Sequence, residues 1–355
     1  MAFSPENRKG TISGIIFVAI FAAAATYIAG LGPVKALGLS PLVIGIVMGI
    51  FYANTLHNQT PVEWQSGITF SGKKILRFAI VLYGFRITFQ EIMAVGMDGF
   101  LVSLIMLTST LILGSWLGTR IFGMDRDTSI LTASGASVCG AAAVLATEPV
   151  LKAEDYKTAV AVSMVVLFGT ISMFLYPVLY TTIIEHAVGF LHMTAREFGI
   201  YVGGTIHEVA QVVAVPASVP GSPKEMADAA VIVKMTRVIM IAPMLIVLGF
   251  WLAWDARRKG GEGGGKMKLV IPWFAVYFIL VAGFNSLHLI PQNIVDVINE
   301  IDTFLLTMAM TALGMGTIFS KFKGLGMAPL YTAGAMFAWL VIGGFAITKL
   351  VVEVL

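Results

Sequence analysis

The stretch Tyr201-Val-Gly-Gly-Thr-Ile-His-Glu-Val-Ala-Gln211 sets a glycine pair and three strongly polar side chains inside an otherwise apolar segment. A second stretch, Thr132-Ala-Ser-Gly-Ala-Ser-Val-Cys-Gly-Ala-Ala-Ala143, consists mainly of small and hydroxyl-bearing residues and contains two glycines. Neither is typical of an ordinary membrane helix, because glycine weakens a helix and lipid offers no partner for exposed backbone groups. We expect each stretch to be a broken helix or a re-entrant loop.

The composition around these stretches is that of a membrane protein. Of the 355 residues, 57% are hydrophobic and 12% are charged, and the mean hydropathy is +0.88. Soluble globular proteins carry about 25% charged residues. The net charge of +3 without a basic domain argues against a nucleic-acid-binding protein. The single cysteine, Cys139, allows no internal disulfide bond. The sequence therefore predicts an all-α polytopic membrane protein.

Eleven segments are apolar enough, or nearly so, to cross about 30 Å of hydrocarbon as helices of about 20 residues. These segments are 12–31, 41–57, 69–88, 99–119, 128–147, 157–184, 198–217, 227–254, 269–289, 302–320 and 328–352. The basic, glycine-rich stretch 255–268 predicts a flexible linker. It separates an N-terminal membrane portion, 1–254, from C-terminal membrane helices, 269–355, within one membrane domain.

Lys and Arg are distributed unevenly among the predicted loops. If the N-terminus is cytoplasmic and the chain crosses eleven times, the cytoplasmic loops hold fourteen Lys and Arg residues, including Lys73, Lys74 and Arg196, and the external loops and tail hold six. Cytoplasmic loops carry the excess of positive charge, so the N-terminus and the linker are predicted to be cytoplasmic. If segments 128–147 and 198–217 are re-entrant, Lys152 and Lys157 become cytoplasmic and Arg196 external. The ratio is then fifteen to five, which leaves nine and eleven crossings equally acceptable.

Internal similarity predicts a fold with repeats. The stretch 135–146 resembles 204–214, and 79–89 aligns with 309–319. In the predicted orientation the second pair runs in opposite directions, although the order of the two pairs does not match a simple tandem duplication. Inverted repeats with helices interrupted at mid-depth are characteristic of secondary transporters. The sequence therefore predicts an inverted-repeat transporter fold.

His207 and Glu208 lie near the middle of a predicted span, with Gln211 one turn further on. A charged side chain at this depth costs at least about 2.5–3 kcal/mol, so a binding site or a coupling site is expected. The alternative is a neutral histidine and a protonated glutamate that are hydrogen-bonded between helices. The spacing differs by one residue from the HExxH zinc motif, because Gln211 stands where the second imidazole is needed. We predict no metal site and no catalytic residue, and an intramembrane metalloprotease is a remote alternative.

Lys234 and Arg237 lie three residues apart on one face of segment 227–254. Lys234 lies near enough to the outer end to extend towards water, whereas Arg237 lies about 15 Å deep. Such a pair suits either an anionic substrate or a buried ion pair with Glu208. Arg77 and Arg86, at the two ends of another span, are predicted to be interfacial anchors.

Residues of the interrupted stretches complete the predicted site. They are Ser134, Gly135, Ser137 and Thr205, together with Gln211. A helix that starts inside the membrane directs unpaired N–H groups and the positive end of its dipole into the gap, and this arrangement binds anions. The alternative is close helix packing through small residues.

Four motifs, in order, make the sequence resemble the YeiH-type family of membrane proteins, which are labelled sulfate exporters. They are Leu82-Tyr-Gly-Phe-Arg-Ile-Thr88, 134–143, 204–211 and Val231-Ile-Val-Lys-Met-Thr-Arg237, and 309–317 fits a fifth motif. The resemblance covers about residues 12–353. It implies a multi-pass transporter of the bacterial inner membrane, distantly similar to bile-acid, arsenite and riboflavin transporters, with inverted repeats and crossing broken helices.

These expectations describe a secondary active transporter of a small anion, of the sulfate, sulfite or organosulfonate class. Lys234 and Arg237 would neutralise the anion at mid-depth, and Glu208 with His207 would carry a coupling proton. No Walker A motif occurs, so direct use of ATP is not expected. We predict no enzyme activity, cofactor or nucleic-acid partner. The expected partners are the anion and the lipid bilayer; an anion channel is the alternative function, and a homodimer is left open.

Overall fold

The computed structural model describes residues 7–31, 34, 40–56, 60–258, 273–318, 320 and 326–354. All regular secondary structure in these ranges is helical. Five helical runs are each long and apolar enough to cross a membrane: Arg8–Gly30, Phe89–Ile121, Tyr156–Ile184, Lys224–Asp255 and Met327–Val354. The chain is thus an all-α membrane protein, while the count of eleven spans stays a prediction. Residues 259–268 of the predicted linker lie outside the described ranges, and its first residues continue a helix as far as Arg258.

The helices are numbered here in chain order. They are α1 (Arg8–Gly30), α2 (Pro41–Thr55), α3 (62–86), α4 (Phe89–Trp116), α5 (Arg126–Ser137), α6 (Ala141–Leu151), α7 (Asp155–Leu179), α8 (Ala195–Thr205), α9 (Val209–Ala217), α10 (Lys224–Ile239), α11 (Ile241–Arg258), α12 (Trp273–Asn285), α13 (Gln292–Gly316), α14 (Met327–Ala338) and α15 (Gly344–Val354). Single π-helical turns extend α4 and α7 and join α14 to α15.

One sequence prediction is wrong within α3. Lys73 and Lys74, which are counted above among the cytoplasmic loop residues, do not lie in a loop, because they belong to the π-helical turn Ser71–Ile75 inside a helical run that starts at Val62. In a hydropathy profile, a pair of lysines gives the low hydropathy that is typical of a loop. Long lysine side chains can nevertheless extend from a helix towards water, so the helix continues through them.

The helices pack as two groups. Helices α1, α2, α3, α12 and α13 form the first group, in which α2 packs along α13. Glycines permit this close approach, because a Cβ atom at Gly49 or Gly314 would overlap the backbone of the opposite helix. Helices α4 to α10, with α14 and α15, form the second group, and α11 packs on α6 and α10. The main contacts between the groups are those of α9 with α2 and α13, and of α10 with α12.

Helices α5 and α6 form a hairpin whose two ends lie at the same end of the molecule. Lys157, just after α6, has its Nζ atom 3.1 Å from Asp125 Oδ1 and 3.4 Å from Asp127 Oδ2, at the start of α5. Arg126 pairs at 3.1 Å with Asp255, near the end of α11. The two helices contain 12 and 11 residues, or about 17 Å each, roughly half the hydrocarbon thickness.

Helices α8 and α9 form a second hairpin, which enters from the opposite end. Arg196, at the start of α8, lies 2.8 Å from Asp98, and Lys224, shortly after α9, lies 2.7 Å from Glu91. Both acids belong to the first ten residues of α4, whose other end leads to the base of the α5–α6 hairpin. Lys157 thus lies at the end of the molecule where α5 begins, and Arg196 lies at the same end as Lys224, which follows α9. Both positions are those expected if the two segments are re-entrant.

Capping residues fix where these helices begin. Thr88 with Glu91, and Thr194 with Glu197, form capping boxes at the starts of α4 and α8. Asp125 caps α5 and accepts a hydrogen bond from the Thr128 N–H at 3.1 Å. Partial burial would raise the pKa of Asp125, but the hydrogen bonds from Thr128 and the nearby Lys157 ammonium lower it below its usual value.

Candidate functional site

The tip of the α5–α6 hairpin is a break of three residues. Helix α5 ends at Ser137, Val138 leaves the helical region, and Gly140 adopts a φ of +74°, where glycine has no steric penalty. A Cβ atom at Gly140 would stand 2.6 Å from Cγ of Glu208. Glycine at this position therefore allows the break and leaves room for the tip of the other hairpin.

The tip of the α8–α9 hairpin is extended between Thr205 and Val209. Ile206 has φ −70° and ψ 146°, and Glu208 has φ −110° and ψ 148°. The backbone N–H of Glu208 donates to Oε1 of Gln211 at 3.1 Å, which caps the start of α9. Both breaks fall within the predicted segments 128–147 and 198–217, and the two tips meet.

Lys234 joins the two tips from helix α10. Its Nζ atom donates to the carbonyl oxygens of Val138 at 2.7 Å, Ile206 at 2.7 Å and His207 at 2.6 Å. An ammonium group has three donors, so all three are used, and the side chain is 0% exposed. Lys234 is therefore fully engaged by the backbone in this structure.

Arg237 lies one turn further along α10 and is also 0% exposed. Its Nη1 atom donates to Gly203 O at 3.3 Å and Ile206 O at 3.5 Å. Its Nη2 atom donates to Ala136 O at 3.3 Å and Ser137 O at 2.5 Å. The two cations thus satisfy carbonyls at the C-terminal ends of both α5 and α8, where the helix dipole favours positive charge.

Glu208 lies on the other side of the tips, where α6 and α9 begin. Its carboxylate accepts a hydrogen bond from the backbone N–H of Ala141, the first residue of α6. Glu208 is also the N-cap residue of α9. Helix N-termini attract negative charge, so one carboxylate serves two of them. Unlike the two cations, Glu208 is only partly buried.

Among the described residues, no salt bridge joins Glu208 to Lys234 or to Arg237, so the expected ion pair is not a direct contact. Lys234 attracts the carboxylate through space, and so does Lys73 of α3, which belongs to the first helix group. Sequence reasoning missed Lys73, because it was assigned to a loop. The π-helical turn that carries it gives no clear signal in a single sequence.

The hydroxyl groups predicted to bind an anion are hydrogen-bonded within the protein. Ser134 donates to Leu131 O at 2.9 Å, and Ser137 donates to Ser134 O at 3.1 Å, both within α5. Thr205 donates to Tyr201 O at 2.6 Å and accepts from the Tyr176 hydroxyl at 2.9 Å. These side chains hold the breaks in shape, and their roles as ligands stay predictions.

Gly135 has a packing role in the structure. A Cβ atom at this position would stand 2.6 Å from Cγ2 of Val165 and 2.7 Å from Cγ2 of Val144. The glycine therefore lets α5 approach α6 and α7 closely. Its predicted part in anion binding is through its backbone and is not tested by these contacts.

Three buried polar atoms around the tips have no hydrogen-bond partner among the described residues. They are Nδ1 of His207, Nε2 of Gln211 and Nε of Arg237. Buried polar groups are almost always paired, so such a cluster is typical of a place where a ligand or solvent binds. Gln211 packs against Gly169 of α7, where a larger residue would collide with the amide.

A partly buried ion pair lies towards the end of the molecule that carries Lys224. Arg86 contacts Asp302 at 3.1 Å and also donates to Asn299 O at 2.6 Å and to the Thr303 hydroxyl at 2.7 Å. Asp302 is 0% exposed. Arg86 thus joins α3 to α13 rather than acting as a simple interfacial anchor. Among the described residues, no group of three or more His, Cys, Asp or Glu side chains is placed to hold a metal ion.

Comparison with known proteins identifies a family. The family model described as Conserved hypothetical protein 698 matches residues 13–333. A UPF0324 membrane protein of Bordetella pertussis is 46% identical over 346 residues, 98% of this chain and 97% of that protein. The UPF0324 inner membrane protein YeiH of Salmonella typhi is 45% identical over 350 residues, with coverage of 98% and 97%. No solved structure matches the chain.

Proposed function

Because the chain belongs to the UPF0324 family of membrane proteins, as does the inner membrane protein YeiH, we propose that it is a secondary active transporter of a small anion. The proposed location is the bacterial inner membrane, and the proposed substrate class is sulfate, sulfite or an organosulfonate. The protein is proposed to act as a transporter and not as an enzyme.

The arrangement of charge at the hairpin tips carries this proposal. Two buried cations, Lys234 and Arg237, lie on one side of the tips, and on the other side the N-termini of α6 and α9 share one carboxylate, that of Glu208. The positive groups outnumber the negative group, and the helix N-termini offer N–H donors that suit the oxygens of an oxyanion. A small anion that replaced the Glu208 carboxylate there would keep these donors satisfied.

The position of the tips favours transport over simple binding. Helix α9 contacts α2 and α13 of the first helix group, and Lys73 of that group acts electrostatically on Glu208. The proposed site therefore lies where the two groups meet. In secondary transporters, movement of one such body against the other opens a midplane site to each side in turn.

The two hairpins support an inverted arrangement. They enter from opposite ends, and the similar stretches 135–146 and 204–214 carry their tips. We infer nine full crossings and two re-entrant hairpins, with the base of α5–α6 cytoplasmic. This topology agrees with the larger positive charge on that side and with a cytoplasmic N-terminus.

Proton coupling follows from competition at the helix N-termini. A charged Glu208 competes with the anion, whereas a protonated Glu208 does not, so anion binding is linked to proton uptake. His207 is the second candidate, because its buried ring lies next to Glu208 in the same tip. Lys234 and Arg237 keep their carbonyl contacts throughout, and they act on the anion through their charge.

Substitution of Glu208 tests the proposal. Sulfate and sulfite binding is measured by calorimetry at several pH values in two buffers of different ionisation enthalpy. We expect wild-type affinity to rise as the pH falls, with proton uptake. Glu208→Gln should bind with high affinity and little pH dependence, because its amide carries no charge. The matched control, Glu225→Gln, changes an exposed carboxylate on α10 and should behave as wild type.

Two further outcomes separate the alternatives. Accumulation of labelled sulfate against its gradient in proteoliposomes with an imposed pH gradient supports a transporter, whereas flux only down the gradient supports an anion channel. Unchanged pH dependence in Glu208→Gln excludes Glu208 as the coupling group and makes His207 the next residue to test. Absence of anion binding in the wild type at every pH contradicts the proposed substrate class.

A further inference from the structure

A long groove runs along the surface of the molecule between α4 and α11. Its volume is about 1020 Å³, and most of its wall is apolar, with Leu104, Leu111, Met244 and Leu248 among its lining residues. Helix α11 packs on α6 and α10, which leaves the side towards α4 open. The groove is separate from the hairpin tips, because neither Glu208 nor Lys234 lines it.

One end of the groove is basic. Arg120 and Arg126 line it together with Asp255. Arg126 contacts Asp255 through Nη1 at 3.1 Å and lies over the Trp251 ring at 4.8 Å. The Nη2 atom of Arg126 is buried and has no hydrogen-bond partner in the described part of the chain. The end therefore carries a net positive charge and an unsatisfied guanidinium donor.

The dimensions of the groove match one leaflet of a bilayer. It extends from Leu104 on α4 to Arg120 in the π-helical turn that follows α4, and from Met240, just before α11, to Asp255, which is about 22–24 Å at 1.5 Å per residue. One leaflet is about 15 Å thick in its hydrocarbon and about 20–22 Å thick with its headgroup region, so an acyl chain and a headgroup fit this length.

Exposed aromatic residues mark the depth of the basic end. Trp116 and Trp251 line the groove close to the two arginines and are 51% and 46% exposed. Tryptophan is enriched where hydrocarbon meets the headgroups. Further along the groove, Ile112 and Val247 are 65% and 68% exposed, as expected of side chains that contact lipid tails. The basic end thus lies at headgroup level and the apolar wall lies in the hydrocarbon.

We propose that this groove binds one anionic phospholipid, with its acyl chains between α4 and α11 and its phosphate on Arg120 and Arg126. Net positive charge at headgroup level favours an anionic over a zwitterionic lipid. In the topology inferred above, the lipid belongs to the cytoplasmic leaflet. The lipid site itself does not depend on anion transport, and its test measures lipid binding alone.

Native mass spectrometry of the purified full-length protein tests the site. Phosphatidylglycerol and phosphatidylcholine with identical acyl chains are added in equal amounts. We expect preferential retention of one phosphatidylglycerol. The variant Arg120→Gln/Arg126→Gln should lose affinity about fivefold per arginine, or roughly 25-fold in all, since each basic residue near the headgroups contributes on the order of 1 kcal/mol. Affinity for phosphatidylcholine should change little.

Matched controls separate this site from general attraction of lipid to charge. Arg8→Gln/Lys9→Gln removes two exposed cations from α1, which does not line the groove, and should retain phosphatidylglycerol as the wild type does. Thr108→Trp keeps both arginines but fills the apolar wall from an exposed position on α4, and should weaken binding of the lipid. Inorganic phosphate should not compete at millimolar concentration, because it lacks the acyl chains.

Three results would overturn the proposal. The first is that the wild type retains phosphatidylglycerol and phosphatidylcholine equally. The second is that Arg120→Gln/Arg126→Gln and Arg8→Gln/Lys9→Gln lose the same amount of affinity for phosphatidylglycerol. The third is that inorganic phosphate displaces the bound lipid completely. If Arg120→Gln/Arg126→Gln does not purify as a folded protein, Thr108→Trp decides alone, and unchanged retention in that variant contradicts the site.

Discussion

The two sides of the point where the hairpin tips meet are stabilised in different ways. On the side where α5 and α8 end, Lys234 and Arg237 donate to six backbone carbonyls and are completely buried. On the side where α6 and α9 begin, a single, partly buried carboxylate, that of Glu208, serves two helix N-termini. The carbonyl side is therefore fixed, whereas the amide side is suited to exchange its carboxylate for another anion.

The largest expected effect is an all-or-none difference in the side of the membrane from which introduced cysteines are labelled. This labelling tests whether the two hairpins are re-entrant. In a Cys139→Ser background, Glu154→Cys should be labelled from the same side as Gly261→Cys in the linker. His186→Cys should be labelled from the same side as Asp296→Cys. Membrane-impermeant reagents in oriented vesicles measure this. Full crossing by both segments would exchange the sides of Glu154→Cys and His186→Cys, and the comparison of the tips would then lose its basis.

A large loss of stability is expected when the carbonyl side is broken. Lys234→Met leaves the buried carbonyl oxygens of Val138 and His207 without their donor, and each costs about 1–3 kcal/mol. Ile206 O keeps only its 3.5 Å hydrogen bond from Arg237. The melting temperature of the detergent-purified protein should fall strongly, or the protein should fail to accumulate. Glu208→Gln keeps a hydrogen-bond acceptor for Ala141 and should change stability by less than about 1 kcal/mol.

The control for this comparison is Lys9→Met, which removes an exposed lysine and should melt as the wild type does. If Lys234→Met and Glu208→Gln destabilise the protein equally, the two sides are not different in kind. If Lys234→Met folds normally but binds no anion, then Lys234 is a direct ligand and not a clamp on the backbone.

A moderate effect is expected at Gly140, where the two tips touch. Gly140→Ala should cost about 1–3 kcal/mol, because φ is +74° and the new Cβ atom would stand 2.6 Å from Cγ of Glu208. In a Glu208→Ala background Cγ is absent, so the steric part of the cost should disappear. Thermal melting of the four proteins gives the coupling energy. Strict additivity would mean that the tips do not press on each other at this point.

Much of this arrangement is predictable from the sequence. Glycine-interrupted polar stretches inside apolar segments mark both breaks, and the depth of Lys234 and Arg237 along their helix places two cations near them. Gly140 and Glu208 also stand out in the sequence, because glycine weakens a helix and a carboxylate is costly inside a membrane. These signals are local, because they depend on residue type and spacing within one segment.

The partners of those residues are not predictable in the same way. The expected ligands of Lys234 and Arg237 are an anion or Glu208, but the structure supplies backbone carbonyls, which every residue has and no sequence pattern marks. Lys73 was missed because a π-helical turn carries a lysine pair through a helix. The Arg86–Asp302 pair joins residues 216 positions apart, so it depends on how α3 packs on α13.

The smallest effect is expected at the base of the α5–α6 hairpin, far from the tips. Asp125 caps α5 and pairs with Lys157, but its side chain is 48% exposed, and exposed ion pairs contribute little to stability. Asp125→Asn keeps a capping side chain and removes the charge. The variant should therefore melt only slightly below the wild type at pH 7 and should bind anions as the wild type does.

The pH dependence of this small difference has a defined sign. Because the folded protein lowers the pKa of Asp125, its contribution to stability is complete above the unfolded value of about 3.9 and is lost as the pH falls through the folded value. Melting temperatures of wild type and Asp125→Asn, measured from pH 7 to pH 3, should converge at the acid end. A gap that widens on acidification would show that Asp125 does not supply this stability, and Asp127, the other partner of Lys157, would be the acid to replace next.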